Sequence, residues 1–181
     1  IGSAARHKNI AMLARACGGR EDRAIPLVIA GGGDARVFSD AGIVAGDGIQ
    51  LIGRVTDGEL RALYANARLF LFPSLTEGFG LPAAEAMACG CPVIASSGGA
   101  IPEVCEDAAA LCDPLDEASW SRTIDRVQGD TERRAAMARS GRGRAARFTW
   151  DAAARQVLDL AATGRDVRRT PSPPLIATSQ A

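Results

Sequence analysis

Glu77 and Glu85 stand eight positions apart around Gly-Phe-Gly-Leu-Pro, and this stretch has the residue types needed to hold a charged, hydroxyl-rich ligand. Two glycines permit a tight turn, and Pro82 is typical of the first turn of a helix. The first N–H groups of a helix lack intrahelical partners and carry a partial positive charge, so they suit a phosphate. A phosphate repels carboxylates, so hydroxyl donors of a sugar or ribose explain the glutamates better. The stretch indicates a nucleotide-sugar ligand; a plain strand-to-helix connection with two solvated acids is the alternative.

Lys8 is the single lysine among 21 basic residues. A compact ammonium suits one phosphate oxygen where a broad guanidinium does not fit. Lys8 is therefore a candidate ligand of the same phosphate. The alternative is a solvated residue in the first turn of a helix.

The elements around the two glutamates place them at the edge of a sheet. The apolar run 69–72 predicts a buried parallel strand that ends at Pro73, and residues 82–90 predict the following helix. Residues 91–95 predict the next strand. Open α/β sheets bind ligands at the carboxyl ends of their strands, which is where this turn lies.

The whole pattern resembles the donor-site signature of family 4 (group 1) of the retaining glycosyltransferases, which have the GT-B fold. The match comprises E-x7-E, the intervening Gly-Phe-Gly-Leu-Pro and the following Glu-Ala-Met-Ala-Cys-Gly-Cys-Pro-Val-Ile-Ala-Ser. Pro-Glu-Val at 102–104 and residues 109–114 add a mannosyltransferase-like character.

The resemblance implies a role for each matching residue. Glu77 would contact the donor sugar and act in catalysis, Glu85 would hold the ribose hydroxyls, and Lys8, six residues after a glycine, would bind the diphosphate and act in catalysis. Arg54 and Val55, which follow the strand predicted at 49–53, would border the nucleobase, although a surface charge explains Arg54 equally well. The implied donor-binding set is Lys8, Arg54, Val55, Glu77, Gly78, Phe79, Gly80, Leu81 and Glu85.

Alternating strand and helix patterns predict an α/β fold with a doubly wound, mostly parallel, Rossmann-like sheet. Further strands are predicted at 25–30, 49–53 and 109–114. Helices are predicted at 10–17, from the capping box Thr56-x-x-Glu59 to about 66, and at 116–128, 130–147 and 151–162.

The resemblance covers 1–163 and implies the C-terminal, donor-binding half of a GT-B enzyme. We expect a truncated start, no N-terminal acceptor domain, and a disordered Pro/Ser-rich tail at 164–181.

The resemblance implies sugar transfer from a nucleoside-diphosphate-sugar to an acceptor hydroxyl with retention, by a chain that is inactive alone. GDP-mannose is the favoured donor, the acceptor is a glycan or lipid-linked sugar, and no metal is obligatory. A GT-B epimerase and a non-catalytic nucleotide-sugar-binding module are the alternatives. An NAD-dependent enzyme is disfavoured, because Arg36 stands where the dinucleotide fingerprint of the Gly31 loop needs a glycine.

Composition narrows the remaining classes. A formal net charge of +0 gives no reason to expect a nucleic-acid partner. Five scattered cysteines indicate a reducing cytoplasm, and Cys89 and Cys91 are better explained as small buried hydrophobes than as a metal pair. Residues 122–169 contain twelve Arg against six acidic residues, an excess that suits either a peripheral contact with an anionic membrane or a solvated helical face.

Overall fold

The computed structural model describes residues 1–2, 5–18, 25–32, 35–46 and 48–163 of the 181. Residues 33–34 of the glycine-rich loop and the tail 164–181, for which disorder was predicted, lie outside the described residues. The chain divides into two compact units, Ile1–Arg147 and Phe148–Ala181.

Among the described residues of the first unit, five parallel strands form two sheets. The first sheet has the order β1-β2 and the second the order β3-β4-β5. Leu27 pairs with Ile49 in the first sheet, and Phe70 pairs with Val93 in the second. The strands are β1 (Leu27–Ala30), β2 (Ile49–Gly53), β3 (Phe70–Phe72), β4 (Val93–Ser96) and β5 (Ala109–Cys112).

Helices alternate with these strands. Short 3-10 turns also lie at Arg6–Lys8 and Glu106–Ala108. The helices of the first unit are α1 (Ile10–Gly18), α2 (Ala35–Asp40), α3 (Asp57–Asn66), α4 (Leu81–Ala88), α5 (Ile101–Cys105), α6 (Glu117–Gly129) and α7 (Thr131–Ala145).

The second sheet is covered by helices on both faces. Phe70 and Phe72 pack in one apolar cluster with residues of α3, α4 and α5, whereas Leu71 packs against a second cluster built from α1, β4, β5 and α6. Successive side chains of a strand point to opposite faces, so this division follows directly from the strand geometry. The predicted doubly wound α/β fold is confirmed.

Local sequence signals account for most element boundaries. The Thr56 side chain and the Glu59 side chain form the predicted capping box at the start of α3. Gly80 is the N-cap of α4 and has a φ of 96°, a left-handed conformation that favours glycine. Helix α2 was not predicted, since residues 31–34 were interpreted as a plain tight turn with no following helix.

The second unit contains α8 (Trp150–Thr163) among its described residues. The Thr149 side chain accepts a hydrogen bond from the Ala152 N–H at 3.1 Å and so caps the helix. No helix within the described ranges combines the length and apolar character needed to cross a bilayer.

Candidate functional site

Lys8 lies on a short turn that Asn9 fixes to the ends of two strands. Asn9 has a φ of 53°, a left-handed conformation that a short amide side chain tolerates better than most. Its side-chain amide donates to the Pro73 carbonyl at 3.3 Å and to the Pro114 carbonyl at 2.8 Å. The turn is therefore attached where β3 and β5 end.

The loop after β3 brings Glu77 to this turn. The Leu75 N–H donates to the His7 carbonyl at 2.7 Å, which joins the two backbones directly. Lys8 Nζ then lies 2.7 Å from Glu77 Oε1, in an ion pair whose side chains are 21% and 17% exposed. The structure thus joins the lysine to the first glutamate of the E-x7-E pattern.

The environment of Glu77 keeps its carboxylate ionised. Burial alone would raise the pKa of Glu77, but the hydrogen bond and the positive charge of Lys8 outweigh burial and lower this pKa below the usual range. Near pH 7 Glu77 is therefore a carboxylate.

Two adjacent glycines let a second loop pack directly on the Glu77 backbone. A Cβ atom at Gly99 would lie 2.7 Å from both the nitrogen and the oxygen of Glu77, and one at Gly98 would lie 2.1 Å from the Leu75 carbonyl oxygen. The Ala100 N–H donates to the Glu77 carbonyl at 3.1 Å. This support was missed from the sequence, where only the glycine pair after a buried strand could have signalled it.

The start of α4 follows Glu77 as predicted. Gly80 caps the helix, Leu81 is its first residue, and Pro82 lies in the first turn. Gly78 and Phe79 are exposed. A helix of eight residues presents its positive end at this point, four positions after Glu77 in the sequence.

Glu85 lies on the second turn of α4 and is exposed. The Tyr64 hydroxyl donates to Glu85 Oε2 at 3.5 Å, the long limit of a hydrogen bond. Burial first, and then the negative charge of Glu85, raise the pKa of Tyr64. Tyr64 therefore remains a neutral hydroxyl group that faces the second glutamate.

Arg54 and Val55 directly follow the end of β2. Both line, together with Lys8, a cavity of about 890 Å³ between the two sheets. Glu77, Glu85 and the residues between them do not line it. Tyr64 lines it as well, so the cavity adjoins the contacts that Lys8 and Tyr64 make with Glu77 and Glu85.

The cysteines have the properties of packed hydrophobes. Burial raises the pKa of Cys91 to about 12 and that of Cys105 to about 11, so both remain thiols. In the part of the chain that the structure describes, no three His, Cys, Asp or Glu residues cluster as a metal site would require.

Taken together, the site has a half-buried ammonium–carboxylate pair, a helix N-terminus and a second carboxylate next to a tyrosine hydroxyl. These groups suit a ligand with a negative charge at one point and hydroxyl groups around it.

Residues 1–144 match the family model of the glycosyl transferases group 1. The match covers most of the chain, so the chain belongs to this family. The fold is thus that of a group 1 glycosyltransferase.

Similar proteins agree with this assignment. The O-antigen chain mannosyltransferase B of Escherichia coli is 42% identical over 112 residues, which are 61% of this chain and 29% of that enzyme. Sucrose-phosphate synthase from Thermosynechococcus elongatus has a TM-score of 0.74 at 30% identity, over 90% of this chain and 44% of its own. Anabaena HepE in complex with UDP-glucose has a TM-score of 0.75 at 21% identity, over 90% of this chain and 48% of its own. At this identity the likeness shows the fold alone. The chain spans less than half the length of each.

Proposed function

We propose that this chain is the donor-binding part of a retaining glycosyltransferase, which moves a sugar from a nucleoside-diphosphate-sugar to an acceptor hydroxyl. The observation that carries the proposal is the 2.7 Å ion pair that joins Lys8 to Glu77, in the loop between β3 and α4. At this point a cation and the positive end of a helix are available to a diphosphate. The Glu77 carboxylate is available to a sugar.

Lys8 and the start of α4 would stabilise the leaving diphosphate. An ammonium has three N–H donors, and the contact with Glu77 involves one oxygen of that carboxylate. As the bond from the anomeric carbon to the phosphate oxygen breaks, negative charge grows on the diphosphate. Each well-aimed donor at such a charge is worth about 3 kcal/mol of transition-state stabilisation. We propose that these groups suffice without an obligatory metal.

Glu77 would orient the donor sugar through its hydroxyls. The pKa of Glu77 is held low, so its carboxylate accepts hydrogen bonds and offsets the positive charge that develops on the sugar ring. We assign Glu77 to orientation and charge stabilisation and not to a covalent intermediate.

The nucleoside half of the donor would lie towards Glu85, with Arg54 and Val55 at the base. Glu85 would accept hydrogen bonds from the ribose, and Tyr64 would hold it in position. One relative is named as a mannosyltransferase and one structural neighbour is a complex with UDP-glucose, so GDP-mannose and UDP-glucose are the two donors to test.

The complete reaction needs an acceptor site, which we assign to a further, N-terminal domain of a longer protein. The acceptor would be a glycan or a lipid-linked sugar, reached in the cytoplasm at the membrane surface. The chain of 181 residues is then expected to bind donor without transferring it.

Calorimetry of the 181-residue chain with GDP-mannose, UDP-glucose, GDP and UDP tests the binding role. Lys8→Met should weaken binding of the preferred nucleotide-sugar and its diphosphate at least about tenfold, which is about 1.4 kcal/mol. Glu77→Gln should weaken the nucleotide-sugar but not the free diphosphate. Arg15→Met is the matched control, because Arg15 forms a 2.9 Å ion pair with Glu117 on an exposed surface.

Unchanged affinity in both site variants would contradict the assignment. Activity is tested in a longer form with its acceptor domain, by proton NMR of the anomeric configuration of the product. Isomerised donor in the absence of acceptor would instead identify an epimerase. Tight binding without turnover would identify a non-catalytic module.

A further inference from the structure

Ser96 is the last residue of β4 and is fully buried, although its side chain is polar. The parallel pairing of β3 with β4 ends with Phe72 opposite Ala95, so the two strands part at the next residue. There the Ser96 hydroxyl donates a hydrogen bond to the Ser74 carbonyl, in the loop that leads to Glu77. A side chain thus continues the connection between the two strands beyond the end of their backbone ladder.

The same hydroxyl also holds the loop after β4. The Gly98 N–H donates to Ser96 Oγ at 3.2 Å. A serine hydroxyl has one hydrogen to donate and lone pairs that accept, so it can make both bonds at once. Because buried polar groups need partners, these bonds fix the hydroxyl and the two backbone groups relative to one another. Ser96 therefore joins the loop after β3 to the loop after β4.

These two loops are in direct contact around the backbone of Glu77. The loop after β3 contains Glu77, and the Ala100 N–H of the other loop donates to the Glu77 carbonyl at 3.1 Å. A Cβ atom at Gly98 would overlap the Leu75 carbonyl oxygen, so the backbones have no room to spare. Since the Ser96 hydroxyl bonds to both loops, its loss should let them separate.

We propose that Ser96 is a positioning residue for Glu77, and through Glu77 for the sugar of a nucleotide-sugar donor. Its hydroxyl holds the two loops together, so the Glu77 carboxylate keeps its place 2.7 Å from Lys8 Nζ. A carboxylate that orients a sugar needs such a fixed place, because hydrogen bonds weaken steeply when their geometry departs from the optimum. The inference rests on the proposed function for the role of Glu77, whereas the control of Glu77 by Ser96 is independent of any ligand.

Two substitutions at Ser96 remove the hydroxyl in different ways. Ser96→Ala deletes both hydrogen bonds, whereas Ser96→Cys nearly keeps the volume but offers only a weak donor and a weak acceptor. Val93→Ala is the matched control, because Val93 is buried at the opposite end of β4. Its truncation destabilises the sheet without removing a hydrogen bond.

The pKa of Glu77 reports the place of its carboxylate in the absence of ligand. Carboxyl carbon NMR of the full chain follows this titration, and the Glu77→Gln chain identifies the signal. Ser96→Ala and Ser96→Cys should raise the pKa of Glu77 towards its usual range, because the contact with Lys8 that lowers it is weakened. Val93→Ala should leave this pKa at the parent value.

Calorimetry with GDP-mannose, UDP-glucose, GDP and UDP measures the consequence for the ligand. Ser96→Ala and Ser96→Cys should weaken the preferred nucleotide-sugar about three- to tenfold relative to its free diphosphate, as expected for the loss of about one hydrogen bond. Val93→Ala should leave the ratio of the two affinities unchanged.

An unaltered Glu77 pKa in both Ser96 variants would overturn the proposal. An equal shift in Val93→Ala would also overturn it, since general loosening would then be the cause. If the parent binds a nucleotide-sugar and the affinity ratio is the same in the Ser96 variants, the sugar does not depend on Ser96 and the proposal is wrong. A parent chain that binds no nucleotide-sugar would contradict the proposed function instead, and the Glu77 titration would then decide whether Ser96 positions this carboxylate.

Discussion

The ammonium of Lys8 lies 2.7 Å from the carboxylate of Glu77, although 69 positions separate them in the sequence. Two attachments flank this contact, a backbone hydrogen bond from Leu75 to His7 and the bonds of the Asn9 side chain to Pro73 and Pro114. The ends of β3 and β5 are thereby held near one charged pair, and each attachment can be tested separately.

The Lys8–Glu77 pair should contribute measurably to stability, because both side chains are largely buried. Removing one partner leaves a charge with no counter-ion in a poorly hydrated place, so Lys8→Met should lower the free energy of unfolding by about 1–3 kcal/mol. The double variant Lys8→Met with Glu77→Gln should cost less than the two single variants added together. Urea denaturation of all four chains gives the coupling energy.

The Arg15–Glu117 pair is the reference for this cycle. Its atoms lie 2.9 Å apart, but the side chains are 63% and 42% exposed. An exposed pair should show a coupling below about 1 kcal/mol. Equal coupling energies for the two pairs would mean that burial does not strengthen the Lys8–Glu77 contact.

Gly99 should be sensitive to the smallest substitution. Its φ of 58° is left-handed, and a Cβ atom would lie 2.7 Å from two backbone atoms of Glu77. Gly99→Ala should therefore lower the free energy of unfolding by about 2–4 kcal/mol, through backbone strain and displacement of the Glu77 loop. Thermal unfolding followed by circular dichroism measures the loss.

Gly143→Ala is the matched control for this substitution. Gly143 lies within α7, and a Cβ atom there meets nothing within 4 Å. Alanine at this position should be neutral or stabilise by up to about 1 kcal/mol. A Gly99→Ala chain as stable as the Gly143→Ala chain would show that the two loops separate easily.

The local elements around the site were predictable from the sequence. The strand β3, the start of α4 and the capping box of α3 were predicted, because each depends on residues adjacent in the chain. The proximity of Lys8 to Glu77 was also expected, through the sheet edge and the family resemblance. The binding roles of these residues stay predictions.

Other features depend on contacts that adjacent residues do not encode. Asn9 reaches Pro114 across 105 positions, and nothing in its neighbourhood distinguishes it from a solvated amide. Gly98 and Gly99 look like an ordinary loop until the Glu77 backbone is seen against them. Helix α2 was missed because it is short and its few apolar residues follow a glycine-rich loop.

Asn9 should act as a positioning residue for the Lys8 turn. Asn9→Gly keeps the left-handed backbone accessible but removes two hydrogen bonds, so it should cost about 1–2 kcal/mol of stability. Asn9→Ala adds the left-handed strain of a Cβ atom, worth about 1 kcal/mol more. Urea denaturation ranks the two variants.

Hydrogen exchange distinguishes positioning from general destabilisation. The Leu75 amide donates to His7, so Asn9→Gly should accelerate its exchange relative to the parent chain. The same substitution should accelerate exchange of the α6 amides less. Asn66→Ala is the control, because Asn66 makes a single exposed bond of 2.8 Å to Ala62 within its own helix. If the Leu75 amide is equally protected in both variants, Asn9 does not hold the turn.

The amino group of Ile1 should make the stability of the 181-residue chain depend on pH. Burial, and then the charge of Lys8, lower the pKa of this amine from 8.0 to about 6. Between these two values the unfolded chain binds more protons than the folded chain, so the free energy of unfolding should rise as the pH increases from 6 to 8, by up to about 2 kcal/mol. Urea titrations at pH 6, 7 and 8 measure the slope of the free energy of unfolding against pH.

Acetylation of the Ile1 amine removes the titrating group and retains every side chain, so the acetylated chain should lose most of the slope. A slope that survives acetylation unchanged would place the responsible proton on a side chain and leave the Ile1 amine hydrated in the folded protein.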